Sequence, residues 1–411
     1  MISGNIRTLD DLDVKGKTIL LRCDINCPVD EKKVIKNTKR IRSSAPTIKE
    51  LSQKGAKVVV LAHQGDPLDY QNFTSLREHR DYLVKYLECE VDFVEDIAGP
   101  AARATIRSMQ SGEVLLLENI RLYTEETIIF EKEVRLSPQD QCHTYLVRQL
   151  APLADYYVCD AFACVHRSEP SLVAFPQLLP SAAGRLFETE LTSLMKVRFA
   201  PQRPCLYLLG GAKILDAFHM MQQVLKEGAA DRILTFGLVS NIMLKARGYD
   251  LGPQNEAFLE KKNLLEFVEP AVRMLDEFGE KIAIPEDVAV NHDGQRQEID
   301  VAQLPVDAQI LDIGQKTIDS YLAAIQSAQT IFLNGPAGAY EQAAFANGTA
   351  RIWQGIAESD AFSVIGGGDT IMAAAQFGVE DKVTYVCTAG GGLIRFLSGE
   401  VLPVIEALKN R

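Results

Sequence analysis

The chain has no excess of positive charge. Against 43 Lys and Arg stand 55 Asp and Glu, a net charge of −12. Such a surface repels nucleic acid and anionic lipid unless a local basic cluster overrides it, so neither is expected as a partner. No apolar run approaches the roughly 18 residues of a membrane span, which argues against a helical membrane protein. The opening Met1-Ile2-Ser3-Gly4-Asn5-Ile6-Arg7 carries neither a hydrophobic signal segment nor a basic amphipathic presequence, and the expected compartment is the cytoplasm. The eight cysteines form no C-x-x-C knuckle. The nearest pairs, Cys23/Cys27 and Cys159/Cys164, lack zinc-type partners and read as scattered reduced thiols. Low-complexity segments and short internal repeats are absent. So are G-x-x-x-x-G-K-[ST] and, in context, G-x-G-x-x-G, which removes a Walker A loop and leaves a nucleotide-linked dehydrogenase as only a remote alternative.

What is present is an alternation. With 411 residues the chain is long enough for two domains or three. Short apolar runs recur at Thr18–Arg22, Val58–Ala62, Val114–Leu117 and Tyr156–Val158, then at Leu206–Leu209, Ile233–Phe236, Ile282–Ile284, Ile331–Leu333, Phe362–Ile365 and Val383–Val386. Runs of this length, apolar on both faces, are the mark of central strands in parallel sheets. Helical patterns lie between them, as at Ala45–Lys54 and Leu215–Lys226, so the expected class is α/β, built from βαβ units. A Pro- and Ala-rich stretch from Phe175 to Gly184 marks the boundary between halves, followed by a bridging helix over Phe187–Val197. The division is expected as 1–180 and 181–399.

Ligands of open α/β sheets bind beyond the carboxyl ends of the strands. In the first half those ends carry Asp24, Asn26, His63, Glu118, Asn119, Arg121, Asp160, His166 and Arg167, with Arg40 in a further polar loop. Arginine grips carboxylate or phosphate with a two-pronged fork, so a small-anion site follows if these loops share one edge. In the second half the ends carry Gly210-Gly211, Asn334-Gly335-Pro336, Gly366-Gly367-Gly368 and Gly390-Gly391-Gly392. Glycines admit phosphate oxygens close to the backbone, and a following helix N-terminus adds free N–H groups. One such loop alone is more simply a tight turn with Asp369 as its cap; four in one half shift the balance toward phosphate. Lys213 follows Gly210-Gly211-Ala212, where an ammonium can reach a polyphosphate or simply be solvated.

These motifs, in their order, resemble the phosphoglycerate kinase family over essentially the full length, and most of all its archaeal-type branch. The residues that carry the resemblance are Arg22-Cys23-Asp24-Ile25-Asn26-Cys27-Pro28, Arg40-Ile41 with Pro46-Thr47-Ile48, Leu115 to Arg121, Asp160-Ala161-Phe162 with His166-Arg167, Gly210 to Lys213, Asn334 to Glu341 and Gly366 to Thr370. The resemblance implies two Rossmann-like domains with parallel sheets, joined by a hinge helix, and a C-terminal segment, 400–411, that returns to the first domain. It implies reversible phosphoryl transfer between 1,3-bisphosphoglycerate and MgADP, giving 3-phosphoglycerate and MgATP, in a monomer or homodimer. It assigns Asp24, Asn26, Arg40, His63, Arg121 and Arg167 to the acid substrate. Gly211, Lys213, Asn334, Gly338, Glu341, Gly367, Gly368, Asp369 and Thr370 fall to the nucleotide, with Glu341 on the ribose and Asp369 on Mg²⁺, directly or through water. Catalytic roles fall to Arg40, Lys213, Gly367 and Gly390.

Several positions depart from the family pattern. Gly65-Asp66-Pro67 stands where the family has G-R-P, placing an anion near the acid substrate. Ala217 replaces a second lysine, Phe236 adds bulk where a glycine is usual and is expected beside the adenine, and the last glycine motif reads Cys387-Thr388-Ala389-Gly390-Gly391-Gly392. Cys159 stands where Asn is usual. Asp66 motivates an alternative, a divergent paralogue acting on another small acid. Phe236 and Ala389 motivate a further one, a weakly active nucleotide-binding homologue.

Overall fold

The computed structural model describes residues 6–65 and 70–409. The chain divides into two compact units, the first running to Thr192 and resuming at Val401, the second spanning Ser193–Glu400. Both are α/β, and among the described residues no helix is long and apolar enough to cross a membrane.

The first unit is built on six parallel strands: β1 (Thr18–Arg22), β2 (Lys57–Leu61), β3 (Asp92–Val94), β4 (Val114–Leu117), β5 (Tyr156–Cys159) and β6 (Ser181–Ala183). Their order is β3-β4-β2-β1-β5-β6. β1 is buried along its whole length, as a doubly covered central strand must be. Every residue of β1 is paired, Arg22 lying opposite both Leu61 and Cys159. Two of the strands, β3 and β6, lie outside the apolar runs that mark the others. Asp92-Phe93-Val94 is only three residues at the sheet margin, and Ser181-Ala182-Ala183 is too small-chained to carry a strand signal. Because β6 pairs with β5, the chain is still within the first unit at residue 183, beyond the expected boundary at 180. The helix Arg185–Phe199 runs through the division at Thr192/Ser193. At the other end, the N–H of Val404 donates to the carbonyl of Val165 (3.3 Å), and Val404, Ile405, Ala407 and Leu408 are buried.

The second unit holds another six-stranded parallel sheet, made of β7 (Cys205–Leu209), β8 (Arg232–Thr235), β9 (Ile282–Ala283), β13 (Thr330–Asn334), β14 (Phe362–Gly366) and β15 (Tyr385–Cys387). The order is β15-β14-β13-β7-β8-β9. Between β9 and β13 comes a three-stranded antiparallel sheet of β10 (Asp287–His292), β11 (Gln295–Asp300) and β12 (Gln309–Ile313), which the reading of the sequence as uniformly parallel does not contain. The signal for it is local. His292 pairs with Gln295 across Asp293-Gly294, both with positive φ, and Asp-Gly is the dipeptide a two-residue hairpin favours. β11 alternates charged side chains with a mostly exposed face, so it offers no apolar run to notice.

Candidate active site

In the first unit the polar groups after the strands meet at one place. Arg22, at the end of β1, is completely buried; its Nε donates to the hydroxyl of Ser171 (3.1 Å) and its Nη2 lies 3.0 Å from Nδ1 of His63. A guanidinium can only donate, so Nδ1 accepts and the neutral imidazole keeps its proton on Nε2. Burial, followed by the charges of Arg121, Arg22, Arg40 and Arg167, drives the His63 pKa well below its ordinary value. Four arginines therefore act by their charge on one neutral N–H donor.

The same edge fixes the rest of the set. Arg40, in the first turn of the helix Lys39–Gln53, donates through Nη1 to Asp24 (2.6 Å). That carboxylate also accepts the N–H of Asn26 (3.1 Å), and it is the main reason the Arg40 pKa is raised. Asn26 clasps Gly65, accepting its N–H (3.0 Å) and donating to its carbonyl (3.3 Å). Arg121 Nη1 donates to the same carbonyl, and its guanidinium lies over the Phe73 ring. Arg167 is paired with Glu131 (3.1 Å) and Glu169 (3.5 Å). All six residues expected to meet the acid thus belong to one unit, and five of them are linked to Arg22, His63 or Gly65 by direct contact or by charge. Asp66 lies outside the described residues.

Glu118, Asn119 and Asp160, named in the sequence among the polar strand ends, form a frame behind this set with Gln64 and Glu126, which the sequence does not single out. Gln64 accepts from Cys27 N–H (2.9 Å) and contacts His79 (2.9 Å), while Asn119 donates to the carbonyls of Gln64 (2.9 Å) and Thr74 (2.8 Å). Glu118 accepts from Ser75 and from the backbone of Leu76 and Asn119, so in Leu-Glu-Asn-Ile-Arg only Arg121 faces the site. Asp160 accepts the N–H groups of Leu186 (2.9 Å) and Phe187 (3.1 Å), holding the first turn of the helix Arg185–Phe199. Glu126 is buried and accepts from both the N–H (2.7 Å) and the hydroxyl (2.6 Å) of Ser171. Burial and the nearby Glu169 push its carboxyl up to about 8, and burial also raises that of Glu169.

Asp24, His63 and Cys164 bring an oxygen, a nitrogen and a sulfur within 4.8 Å of one another. A cation would have to displace the Nε2 proton of His63 beneath four guanidinium groups, and the Cys164 thiol is pushed up to about 12, chiefly by burial. The field at this place selects an anion.

In the second unit the loops after β7, β8 and β13 are stitched together by their backbones. Gly210 N–H donates to Asn334, Gly211 to Pro336 and Gly237 to Ala337. Gly335 takes a positive φ of 88°, and a β-carbon there would lie 2.2 Å from the Gly210 carbonyl oxygen. Gly367, with φ 97°, is equally intolerant, because a β-carbon would meet the Asn334 amide at 2.6 Å. Asn334 donates to the Gly366 carbonyl (2.7 Å), and the Thr370 hydroxyl accepts from Gly335 N–H (2.7 Å). Asn334 and Thr370 therefore serve as ties between loops.

Beside these loops opens a cavity of ≈ 340 Å³. Gly211, Gly338, Glu341 and Asp369 line it, with the helix Gly368–Gln376 presenting Asp369 in its first turn. Leu238, Asn241, Phe258, Leu259 and Leu311 form much of the remainder. Lys213, Asn334, Gly367, Gly368, Thr370 and Gly390 are not on this wall. Lys213 is exposed one residue beyond Ala212, which is, and Gly390 is exposed at the start of the helix Gly391–Leu397. Phe236, expected beside the adenine, is not on this wall. Its ring is fully buried in the sheet-side core and packs where a β-carbon on Gly210 would be, while Leu238 faces the cavity. Asp312, missed in the sequence, lies on the wall and accepts from Gly348 N–H (2.8 Å) and Arg296 Nη1 (2.7 Å).

The family model described as phosphoglycerate kinase matches residues 9–400. A phosphoglycerate kinase of Methanothermus fervidus is 45% identical, over 98% of this chain and 97% of its own. That of Methanothermobacter thermautotrophicus is 44% identical, over 100% and 98%. Among solved structures, phosphoglycerate kinase from Pyrococcus horikoshii superposes with a TM-score of 0.85 at 40% identity, and that from Coxiella burnetii with 0.84 at 29%, each covering 98% of both chains.

Proposed function

Since this chain belongs to the phosphoglycerate kinase family, we propose that its first unit holds the phosphoglycerate and its second the nucleotide, with the residues described above in those roles. The chain is a phosphoglycerate kinase, moving a phosphoryl group reversibly between 1,3-bisphosphoglycerate and ADP to give 3-phosphoglycerate and ATP. The observation that carries the assignment of the acid is the positive charge that Arg121, Arg22, Arg40 and Arg167 bring to bear on His63. Doubly charged phosphate and a carboxylate are the ligands such a field suits. His63 offers Nε2–H to the acid without adding charge, and Asp24 and Gly65 aim Arg40 and Arg121.

Phosphoryl transfer asks for little covalent help. It asks for in-line positioning and for positive charge where negative charge spreads. Arg40 and Lys213 supply that charge, and the N–H groups at Gly367, Gly368 and Gly390 are offered to the moving phosphoryl. The cavity suits phosphates where Gly211, Gly338 and the first turn of the helix Gly368–Gln376 line it, and Glu341, on the same wall, takes the ribose. One exposed carboxylate, Asp369, fits Mg²⁺, a cation usually held by few protein oxygens together with phosphates and water. Bound with the nucleotide, Mg²⁺ would neutralise phosphate charge. The net charge of −12 and the absence of a long apolar helix among the described residues fit a cytoplasmic enzyme of small metabolites.

The test is calorimetry with each ligand in turn. Arg121→Leu should abolish binding of 3-phosphoglycerate and leave that of ADP, while Asp369→Ala should weaken MgADP and leave the acid. Loss of both ligands from either single variant contradicts the assignment of one ligand to each unit.

A further inference from the structure

The nucleotide cavity has two chemically different kinds of lining: glycine backbone with the first turn of the helix carrying Asp369, and the apolar side chains of Leu238, Phe258, Leu259 and Leu311. Resting on the reading of this cavity as a nucleotide site, the phosphates belong to the first and the flat, apolar base to the second. A base buried among aliphatic and aromatic side chains still carries polar edges, and those need partners.

The polar side chains on that wall are mostly committed. Asn255 spends its amide on the carbonyls of Leu251 (2.7 Å) and Ala308 (2.9 Å), and its Oδ1 on the N–H of Ile310 (2.9 Å). Ser240 donates back to the carbonyl of Gly237 (2.8 Å). Asp312 is saturated by Arg296 and two backbone N–H groups. Asn241 is the exception. It lies one turn into the helix Gly237–Ala246, lines the cavity and is 4% exposed, yet its Oδ1 has no hydrogen-bond partner among the described residues. A buried amide left unpaired is costly, whereas the half-buried Gln309 on the same wall can turn to water.

We propose that Asn241 is the base-reading residue of this enzyme, its side-chain amide, with Oδ1 unpaired, hydrogen-bonding the substituent at position 6 of the purine ring. An amide offers an acceptor oxygen and a donor NH₂ on one planar group. Turned one way it accepts from the 6-amino group of adenine; turned the other it donates to the 6-oxo group of hypoxanthine. Asn241 thus accepts both classes of purine and excludes neither.

Calorimetry on the full chain with ADP and IDP, in the presence of Mg²⁺, tests this. Wild type should bind the two with Kd values within about threefold, well under the cost of one hydrogen bond. Asn241→Asp, measured at about pH 9 so that the buried carboxyl is ionised and can only accept, should hold ADP and weaken IDP by about tenfold or more. Asn241→Leu, of similar volume and apolar, should weaken both by about tenfold without separating them. An Asn241→Asp protein, folded by circular dichroism, that does not separate ADP from IDP overturns the inference while leaving the cavity as a nucleotide site. So does Asn241→Leu with wild-type affinity for ADP. Wild type that binds neither nucleotide overturns the reading of the cavity, and the inference with it.

Discussion

Arg22 and His63 show how far single side chains set this chemistry. Because Arg22 can only donate, His63 presents N–H to the acid at every pH where the fold survives. Arg40 is half-free, with one Nη1 bond to Asp24 and a partly exposed head. Arg40→Met should therefore leave the fold intact and lower kcat about 10²- to 10³-fold, the range seen when one preorganised charge donor is removed; steady-state kinetics at saturating substrates measures it. The buried acids behind Arg22 give a pH signature. Glu126 has a folded pKa raised above its unfolded one, so between those values the folded state binds more protons and stability falls as pH rises. Tm should drop between about pH 5 and pH 8 from this group, and Glu126→Gln should flatten the decline, with calorimetric melts as the check. Glu50 works the other way. Hydrogen bonds from Arg185 hold its carboxyl down to about 2, so the stability it adds is present above the ordinary carboxylate pKa and is lost as pH falls below that pKa toward about 2.

At the scale of elements, most of the parallel framework was legible because buried strands write themselves as apolar runs. β1, β2, β4, β5, β7, β8, β13 and β14 all do so. β3 and β6 were not legible, being short and poor in β-branched residues, and β11 was hidden because all its residues but Ile299 are polar or charged. Asp293-Gly294 is the local signal for the hairpin. The site divides in the same way. Arginines and glycines after strands are visible as residue types, whereas the partners that aim them come from distant segments. Glu131, which holds Arg167, sits in the irregular turn Phe130–Val134, and Asn241 lies inside an ordinary-looking helix. Thr370 carries a contact that the motif alone does not show. In Gly-Gly-Gly-Asp-Thr it looks like a ligand, and its hydroxyl also accepts from the N–H of Gly335. Thr370→Val keeps the shape and removes the acceptor, leaving a buried N–H unpaired at about 1–3 kcal/mol. We expect KM for MgADP to rise about tenfold with KM for 3-phosphoglycerate unmoved, measured by varying each substrate in turn.

For the whole molecule, the contrast is between an acidic surface and a small, concentrated positive site. A net charge of −12 repels the anionic substrates at long range, and the four guanidinium groups attract them at short range. Added salt screens both fields. The short-range field is partly buried and less screened, so KM for 3-phosphoglycerate should change by less than about tenfold between 0.01 and 0.15 M salt, and initial-rate assays across that range would show it. Because the expected site residues of the acid lie in one unit and the nucleotide cavity in the other, neither unit alone should turn over. A coupled assay that follows ATP formation from 1,3-bisphosphoglycerate and MgADP, run on wild type beside Arg40→Met and Asp369→Ala, bears on the central claim most directly. Rapid turnover by wild type that falls at least about a hundredfold in Arg40→Met, with KM for MgADP raised in Asp369→Ala, is the predicted result. Wild-type protein that is folded and binds nucleotide but forms no ATP, or turnover indifferent to the loss of Arg40, would contradict it.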